Sequence, residues 1–555
     1  MLPSFRRLTL AEQVAQMIVV RASGHLFDQQ IRYPRWEAPT ATLRRWIEQV
    51  GIGGVIMLGG SAAELALRTQ QMQAWASVPL LVAADVEEGV GQRFAGGTWF
   101  PPPMALQAVY GRSPDKALQL AEQMGRAIAQ EALAVGLNWV LAPVVDVNNN
   151  ANNPVINVRA FGDTPAVVSK LAAAFLRGTQ PHPVLTCAKH FPGHGDTATD
   201  SHLTLPLVAH SAQRLDAVEL VPFRRAIAAG VDSVMTAHLL VSAWDTEHPA
   251  TLSRRCLTDE LRQNLGFDGL VVTDALVMGA IAQQYSPTES ALRAVEAGAD
   301  ILLMPAEPEP VIQSLCDAVQ AGRIEESRIE ASLERIWRAK QRVQSPPLSP
   351  SSAYPHGTSH AWEQMAPPPV DAATLTTHLA QPQAIATATT LLQESMTVRV
   401  SSPLLQSRAL DSSKQTVILV DDLLSCAFLG HEAPAIARPA AFGYRLHLAD
   451  QQSPVTCDPQ PTLLQLFIRG NPFRASSGLI RLAQDWVRSL HAASHLEAVV
   501  IYGSPYVLEA LQPLVSADIP LIFSYGQMHQ AQAIALDQLF TPAPYPLPTS
   551  GDFGF

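Results

Sequence analysis

Short runs of consecutive apolar residues alternate with longer amphipathic segments between residues 10 and 340. Runs such as 270–272 and 301–303 are apolar at every position, which is typical of parallel strands covered on both faces. Eight runs of this kind predict strands, at residues 16–20, 53–58, 79–85, 138–142, 184–189, 232–237, 269–274 and 300–305.

The segments between these strands have the spacing and the end signals of helices. The clearest begins with Ser113 as N-cap and Pro114 at the first helical position, and it ends at Gly136. Two others end at Gly230 and Gly298, where a glycine commonly links a helix to the next strand. Eight β/α repeats predict a (β/α)8 barrel, and a doubly wound open sheet is the alternative.

The pattern changes after the last repeat. Residues 345–370 are rich in proline and serine and have no periodicity, which predicts a linker. Apolar runs at 417–420, 464–468, 498–501 and 520–523 then predict the strands of a smaller α/β sandwich domain. We therefore expect a barrel domain at 1–344, a linker at 345–370 and a second domain at 371–555.

Composition restricts the class of protein. Charged residues make up only 16% of the chain and the net charge is −11, which argues against a nucleic-acid or acidic-membrane partner. The five cysteines are scattered without a CxxC motif, so neither a disulfide framework nor a zinc knuckle is indicated. Without a signal-peptide core or a long apolar run, we expect a cytoplasmic enzyme that does not enter a membrane.

The segment 189–202, KHFPGHGDTATDSH, concentrates the titratable residues. Three histidines, two aspartates and a lysine fall within it, and its proline and glycines exclude a helix, so it is predicted to be a loop. Ordering and desolvating so many polar groups is costly, which indicates chemistry rather than scaffold.

Further polar residues end the predicted strands. Asp85, Lys189 with His190, His238 and Asp274 close strands three, five, six and seven. Each carboxylate alone could be a helix N-cap. In a barrel, however, all these strand ends meet on one face, where active sites lie.

Two kinds of site could use the histidine-rich loop. In the first, His190, His194, His202 and Asp196 would bind a metal, but their spacing matches no common zinc pattern, so no metal and no cofactor is expected. In the second, the Asp200 carboxylate would orient and polarise the His202 imidazole for acid/base catalysis. His194 is then expected only to brace the loop.

These residues resemble the signature loop of glycoside hydrolase family 3, in its β-N-acetylglucosaminidase branch. Segments that match the family in the same order are Asp85-Val86-Glu87 with Arg93, the fourth-strand loop 142–148 with 159–162, the strand 269–276 with Met278, and Leu302-Leu303-Met304-Pro305. The similarity extends weakly into the second domain, at residues 502–506. The resemblance implies a catalytic barrel followed by an α/β sandwich domain.

The resemblance also implies a role for each matched residue. Asp274 would be the nucleophile that forms a covalent glycosyl-enzyme, and His202, paired with Asp200, would be the general acid/base. The sugar hydroxyls and the N-acetyl group would be held by Asp85, Arg93, Arg159, Lys189 and His190.

Two positions depart from the family pattern. Glu88 stands where the sugar-binding loop usually has a glycine, which affects the expected loop conformation. Ala275 replaces a frequent second aspartate and is expected to be harmless.

The resemblance implies the activity of a retaining exo-β-N-acetylglucosaminidase, which would act on peptidoglycan or chitin fragments in cell-wall recycling. A phosphorylase of the same family is an alternative, since an imidazole base tolerates a phosphate anion. A β-glucosidase is a further alternative, although such enzymes of the family take their acid from the second domain and would not need the Asp-Ser-His loop. A sugar-binding protein without activity is disfavoured because Asp274, Asp200 and His202 are all present. The expected partner is a carbohydrate.

Overall fold

The computed structural model describes residues 2–201, 203–344, 372–400, 414–423, 426, 428–455, 459–470 and 476–540. The chain divides into two compact units, Met1–Ala388 and Thr389–Phe555. The predicted linker at 345–370 lies outside the described residues, and the predicted boundaries at 344 and 371 stay a prediction.

The first unit is built on a parallel sheet of eight strands, counted over its described residues, in the order β10-β1-β2-β3-β4-β5-β7-β9. The amide of Thr273 donates to the carbonyl of Ile301 (3.0 Å), which joins the two ends of the sheet and closes it into a barrel. The strands of this unit, including the separate parallel pair β6 and β8, are β1 (Ile18–Ser23), β2 (Gly54–Leu58), β3 (Leu81–Ala84), β4 (Trp139–Val140), β5 (Leu185–Phe191), β6 (Leu207–Val208), β7 (Ser233–Thr236), β8 (Leu240–Val241), β9 (Leu270–Val272) and β10 (Leu302–Leu303).

Helices connect these strands. No helix in the described part of the chain is both long enough and apolar enough to cross a bilayer. The α-helices of the first unit, the last of which continues into the second, are α1 (Leu10–Ala15), α2 (Thr40–Arg45), α3 (Ala62–Trp75), α4 (Met104–Tyr110), α5 (Pro114–Ala134), α6 (Pro165–Thr179), α7 (Ala212–Ala217), α8 (Leu220–Ala228), α9 (Gly279–Ala282), α10 (Pro287–Ala297), α11 (Pro308–Gln320), α12 (Glu326–Arg342), α13 (Ala372–His378) and α14 (Pro382–Ser395).

The predicted barrel is confirmed. Each of the eight apolar runs forms a barrel strand within a few residues of its predicted position, because strands buried on both faces leave a continuous apolar signature. The helix predicted from Ser113 is α5, and Gly136, which follows its end, has a φ of +79°. Side chains of β3 and β5 are buried throughout, so the sheet forms the centre of the core.

The second unit contains a mixed sheet of six strands among its described residues, in the order β11-β16-β15-β14-β12-β13. All neighbours are parallel except β11 and β16, which are antiparallel. Its elements are β11 (Thr397–Arg399), β12 (Lys414–Val420), α15 (Pro434–Ala441), β13 (Tyr444–Ala449), β14 (Thr462–Ile468), α16 (Ser476–Ala492), β15 (Leu496–Gly503), α17 (Pro505–Leu511), β16 (Leu521–Ser524) and α18 (His529–Leu536).

The four strands predicted in the second domain are confirmed as β12, β14, β15 and β16. The two edge strands, β11 and β13, were not predicted. Most positions of both are exposed or half-exposed, so they lack the apolar run of a central strand.

A buried carboxylate ties the barrel together at the amino end of β10. The fully buried Asp300 accepts from the amide of Val271 (3.0 Å) and from the hydroxyl of Ser332 (2.8 Å). Three arginines, Arg262, Arg328 and Arg335, also lie against its oxygens. One carboxylate thus links β9, α12 and the π-helical segment that contains Arg262.

Asp300→Asn is expected to lower the free energy of unfolding by about 3–5 kcal/mol, because it leaves the three arginines facing a group without charge. Asp268→Asn is the matched control. Asp268 also pairs with Arg335, but its side chain is 68% exposed, so the loss should stay below about 1 kcal/mol. Urea denaturation followed by tryptophan fluorescence measures both, and equal losses would contradict the assignment.

Candidate active site

The carboxyl ends of the barrel strands bring together polar residues that are far apart in sequence. Asp85 follows β3, Lys189 and His190 lie near the carboxyl end of β5, and Asp274 follows β9. Because these strands are parallel, their ends share one face of the barrel, as predicted. The peptide bond between Lys189 and His190 is cis.

At the centre of this face lies a buried cluster of charges. The ammonium of Lys189 donates to Asp85 Oδ1 (2.6 Å) and contacts Glu87 Oε1 (2.7 Å). The guanidinium of Arg159 holds both oxygens of Glu87, through Nε to Oε2 (2.9 Å) and Nη2 to Oε1 (2.7 Å). Glu87 is thus shared between two cations, whereas the Asp85 side chain remains 37% exposed.

The mutual charges keep this cluster ionised. Burial disfavours the ammonium of Lys189, but Asp85 and Glu87 outweigh it and raise its pKa. Burial also opposes the charge on Glu87, yet Arg159 and Lys189 hold the pKa of that carboxyl well below its usual range. The pKa of Arg159 is raised, since Glu87 overcomes the effect of burial. The cluster therefore presents fixed charges and donors near neutral pH.

A second buried carboxylate organises the start of the histidine-rich loop. Asp146 Oδ2 lies 2.8 Å from His190 Nδ1, and the Asp146 carboxylate also accepts from the backbone amides of His190 (3.1 Å) and His194 (2.7 Å). Although burial opposes its charge, His190 and these donors lower the pKa of Asp146. The ionised acid fixes Nδ1 of His190 as the protonated nitrogen, and Nε2 faces Arg159 at 3.5 Å.

His194 braces the loop, as expected from the sequence. Its Nδ1 lies 2.8 Å from Thr197 Oγ1 and its Nε2 lies 2.9 Å from Ser201 Oγ. Burial lowers the pKa of His194 to about 4, so the imidazole is neutral at pH 7. A neutral ring can both donate and accept, which suits two hydroxyl partners.

Two glycines allow this loop to lie close to its surroundings. A Cβ on Gly195 would stand 1.8 Å from the carbonyl oxygen of Val147, and Gly193 has a φ of +131° with Glu219 packed against it. Any larger residue at these positions would push the loop away from the strand ends.

Asp274 lies at the end of β9 and is half-buried. Its Oδ1 accepts from the amide of Ala275 (2.8 Å), and the carbonyl of Ala275 accepts from His238 Nε2 (3.0 Å). His238 is fully buried and also contacts Thr251 Oγ1 (2.8 Å). The predicted strand-end histidine thus supports the peptide next to the predicted nucleophile.

The remaining predicted residues lie on loops around this centre. Arg93 is exposed, and its Nε donates to the backbone carbonyl of Asp85 (3.2 Å). Asp200 is buried, and His202 lies outside the described residues. Ser201, between them, contacts His194, and its carbonyl accepts from the amide of Ala280 (3.3 Å), which places it beside the segment that follows Asp274.

Glu88, the departure from the family pattern, binds residues of its own loop. It is fully buried, and its Oε2 accepts from the indole of Trp99 (3.0 Å). Its amide donates to Gln92 Oε1 (3.0 Å) and its carbonyl accepts from the amide of Phe100 (2.7 Å). Glu88 therefore anchors the loop between Asp85 and Arg93 to the segment at Trp99 and Phe100.

Among the described residues, one group of side chains lies close enough together to hold a metal ion. Its members differ from the four residues that the sequence offered as metal ligands. Asp196, His210 and Glu219 place ligand atoms within 4.8 Å of one another. Arg214 lies against both carboxylates, at 3.4 Å from Asp196 and 3.2 Å from Glu219, and so supplies a cationic partner there. His190 and His194 instead contact Asp146, Thr197 and Ser201.

Glu87 and Asp146, the two carboxylates that organise the cations and the loop, were not predicted to have roles of their own. Both lie in the loops that follow strands β3 and β4 and belong to the segments that resemble the family. Their position after apolar runs indicates the barrel face, but their partners Arg159 and His190 are remote in sequence, so the spacing of residues does not predict the pairing.

Two domain families match this chain. Residues 9–339 match the glycosyl hydrolase family 3 N-terminal domain, and residues 408–541 match the bacterial glycosyl hydrolase family 3 C-terminal domain. A similar solved structure is a family 3 β-N-acetylglucosaminidase from Paenibacillus sp. FPU-7, with a TM-score of 0.74 and 29% identity over 96% of this chain and 97% of that one.

Two curated relatives each match a little over half of this chain. β-Hexosaminidase A of Pseudoalteromonas piscicida is 34% identical over 347 residues, which are 57% of this chain and 57% of that protein. The β-hexosaminidase of Nitrosomonas eutropha is 36% identical over 323 residues, 55% of this chain and 92% of that protein. The chain thus spans little more than half of the first relative and most of the second. From the extent of the N-terminal-domain match and the shared fold, this chain belongs to glycoside hydrolase family 3.

Proposed function

We propose that this chain is a retaining exo-β-N-acetylglucosaminidase, which removes terminal β-linked N-acetylglucosamine from peptidoglycan or chitin fragments. The observation that supports this most is the position of Asp274, a half-buried carboxylate on the same barrel face as the Lys189–Glu87–Arg159 cluster. The curated relatives named β-hexosaminidase support the same substrate class.

In this proposal the charge cluster binds the terminal sugar. Asp85 and Lys189 would hold adjacent hydroxyls, since a carboxylate accepts and an ammonium donates hydrogen bonds. Arg93, Arg159 and His190 would complete the contacts to the hydroxyls and the N-acetyl group. Glu87 and Asp146 would touch no sugar but keep these donors charged and correctly oriented.

The reaction would proceed in two displacements. The Asp274 carboxylate would attack the anomeric carbon while the glycosidic C–O bond breaks, and a proton from His202 would pass to the leaving oxygen. In the second step His202 would take a proton from water, whose oxygen would displace Asp274 and release the sugar. Asp200 would polarise the imidazole in both steps.

The contacts of Ser201 support this role for its neighbours. Ser201 is held by the His194 ring on one side and by the amide of Ala280, close after Asp274, on the other. Ser201, the neighbour of both Asp200 and His202 in sequence, therefore lies beside the segment that follows β9.

The test of the proposed function compares an aryl β-N-acetylglucosaminide with an aryl β-glucoside, each with phosphate varied. We expect turnover of the first substrate, free sugar as product and no dependence on phosphate. Sugar phosphate as product would instead identify a phosphorylase, and preference for the glucoside would identify a β-glucosidase.

A cytoplasmic location also stays a prediction.

Asp274→Ala is expected to lower turnover by roughly 10⁴-fold or more, because no covalent intermediate can form. Asp268→Ala, an exposed aspartate before the same strand, is the control and should keep activity. A 2-fluoro sugar with a good leaving group should add its mass to the peptide that contains Asp274. Labelling of another peptide would show that a residue other than Asp274 is the nucleophile.

His202→Ala should reduce cleavage of a disaccharide by roughly 10²–10⁴-fold, because a sugar leaves poorly without a proton. Glycosylation by a nitrophenyl substrate should suffer less, so the intermediate should accumulate and give a burst, and azide should restore turnover because it needs no base. Asp200→Ala should show the same behaviour in milder form. Equal losses on both substrates, without a burst or rescue, would point to His190 or His238 instead.

His194 should make the protein less stable in acid. Its ordinary pKa of 6.5 falls to about 4 in the fold, so between these values the unfolded chain binds a proton that the folded chain does not. The free energy of unfolding should therefore be unaffected by this group above pH 6.5 and fall as the pH drops to 4, by up to about 3 kcal/mol.

His194→Gln removes the titration but retains a donor and an acceptor. Urea denaturation from pH 7 to 4 should show a gap between wild type and variant that changes across this window. His491→Gln, at an exposed histidine of the second unit, controls for the loss of an imidazole that is not buried. A constant gap for His194→Gln would show that the buried ring does not resist protonation.

A further inference from the structure

Two aromatic rings stand exposed on the segment between β1 and α2. Tyr33 is 45% exposed and Trp36 is 37% exposed. Their ring centres are 6.2 Å apart and their planes differ by 29°, so the two rings are nearly parallel. Exposed apolar surface lowers the solubility of a protein, and an exposed aromatic pair is therefore typical of a surface that binds a ligand.

The pair is held in place by a partly buried ion pair. The guanidinium carbon of Arg21, on β1, lies 4.8 Å from the centre of the Tyr33 ring and 5.9 Å from that of Trp36. Arg21 in turn donates to Glu37 Oε1 (3.0 Å), and Glu37 is buried. The rings are therefore ordered before any ligand arrives, which lowers the entropy lost on binding.

The beginning of the same segment packs against the predicted sugar-binding loop. The amide of Gly24 donates to the carbonyl of Leu58 (2.9 Å). A Cβ on Gly24 would meet the ring of Phe94 at 3.2 Å, and Phe94 directly follows Arg93. The start of the segment that contains the aromatic pair therefore lies beside the loop of Arg93.

The order of the strands locates the segment relative to the reaction. In the ring of eight strands, β1 lies two strands from β9, which precedes Asp274, and two strands from β3, which precedes Asp85. It lies four strands from β5, on the opposite side of the barrel. Because the segment follows the carboxyl end of β1, and β1 is parallel to its neighbours, it lies on the same face of the barrel as Asp85 and Asp274.

We propose that Tyr33 and Trp36 form a stacking platform for the pyranose ring of the leaving sugar. One face of a β-linked N-acetylglucosamine carries axial C–H groups and is apolar, and it packs well against an aromatic face. This proposal rests on the proposed function, because it assumes a sugar held between Asp274 and the β5 loop. It adds a determinant of substrate length to that function.

The platform is tested by the variants Tyr33→Ala, Trp36→Ala and the double variant on two substrates. The substrates are N,N′-diacetylchitobiose, which has a sugar to stack, and β-N-acetylglucosaminyl fluoride, whose leaving atom has no ring. We expect each single variant to lose roughly three- to tenfold in kcat/KM on the disaccharide, mainly through KM. The fluoride should be hydrolysed at the wild-type rate.

Two kinds of control distinguish stacking from disturbance of the fold. Tyr33→Phe and Trp36→Phe keep a ring and should keep most of the disaccharide activity. Trp75→Ala removes another tryptophan that lies against two arginines, Arg44 and Arg68 (5.7 Å each), at the far end of α3. It should leave both substrates unaffected. Equal losses on fluoride and disaccharide, or no loss on either, would overturn the platform.

Failure of the proposed function is distinguishable from failure of the platform. If the wild-type enzyme cleaves neither substrate, the proposed function is wrong. Titration of N,N′-diacetylchitobiose into Asp274→Ala still measures the platform, with and without the added change Trp36→Ala. Roughly three- to tenfold weaker binding after that change supports the platform, and an unchanged Kd overturns it.

Discussion

The carboxylate of Glu87 is the interaction on which the candidate site depends. It is bound by Arg159 through two hydrogen bonds and contacts the ammonium of Lys189; Glu87 and Lys189 are buried and Arg159 is partly buried. Without Glu87, the ammonium and the guanidinium would carry a large desolvation penalty, since buried ions are tolerated only when they are paired. The same contacts fix the loop after β3, the end of β5 and the turn at Asn157–Arg159 relative to one another.

Asp146 extends this organisation to the histidine-rich loop. It fixes the ring of His190 and receives the amide of His194, so the first part of the loop is anchored to the loop after β4. Beyond it, His194 holds Thr197 and Ser201. The site therefore consists of a rigid charged base and a loop attached to that base through a few hydrogen bonds. Such an arrangement would suit the proposed reaction, in which the proposed sugar-binding groups stay fixed while the proposed acid approaches from a loop.

Position along a strand was visible in the sequence, but pairing was not. Asp85, Lys189, His190, His238 and Asp274 were expected at strand ends because each terminates an apolar run, and they lie there. His238 nevertheless supports the carbonyl of Ala275. Glu88 likewise could be recognised as unusual, but only the fold shows that it binds the indole of Trp99. Such contacts join residues whose separation in sequence contains no geometric information.

The sequence by itself determined the barrel, the order of its eight strands and the four central strands of the second domain. Burial on both faces imposes an apolar run that is local and can be read directly. The tertiary structure alone decided the edge strands β11 and β13, the sharing of Glu87 between two cations and the anchoring of the loop by Asp146. It also decided the pairing of Tyr33 with Trp36 over Arg21. The contacts of Glu87 and Asp146 depend on closure of the barrel, which brings distant strand ends within hydrogen-bonding distance and leaves no mark on the local pattern. The edge strands depend on pairing with one neighbour in the second sheet, which needs no continuous apolar run.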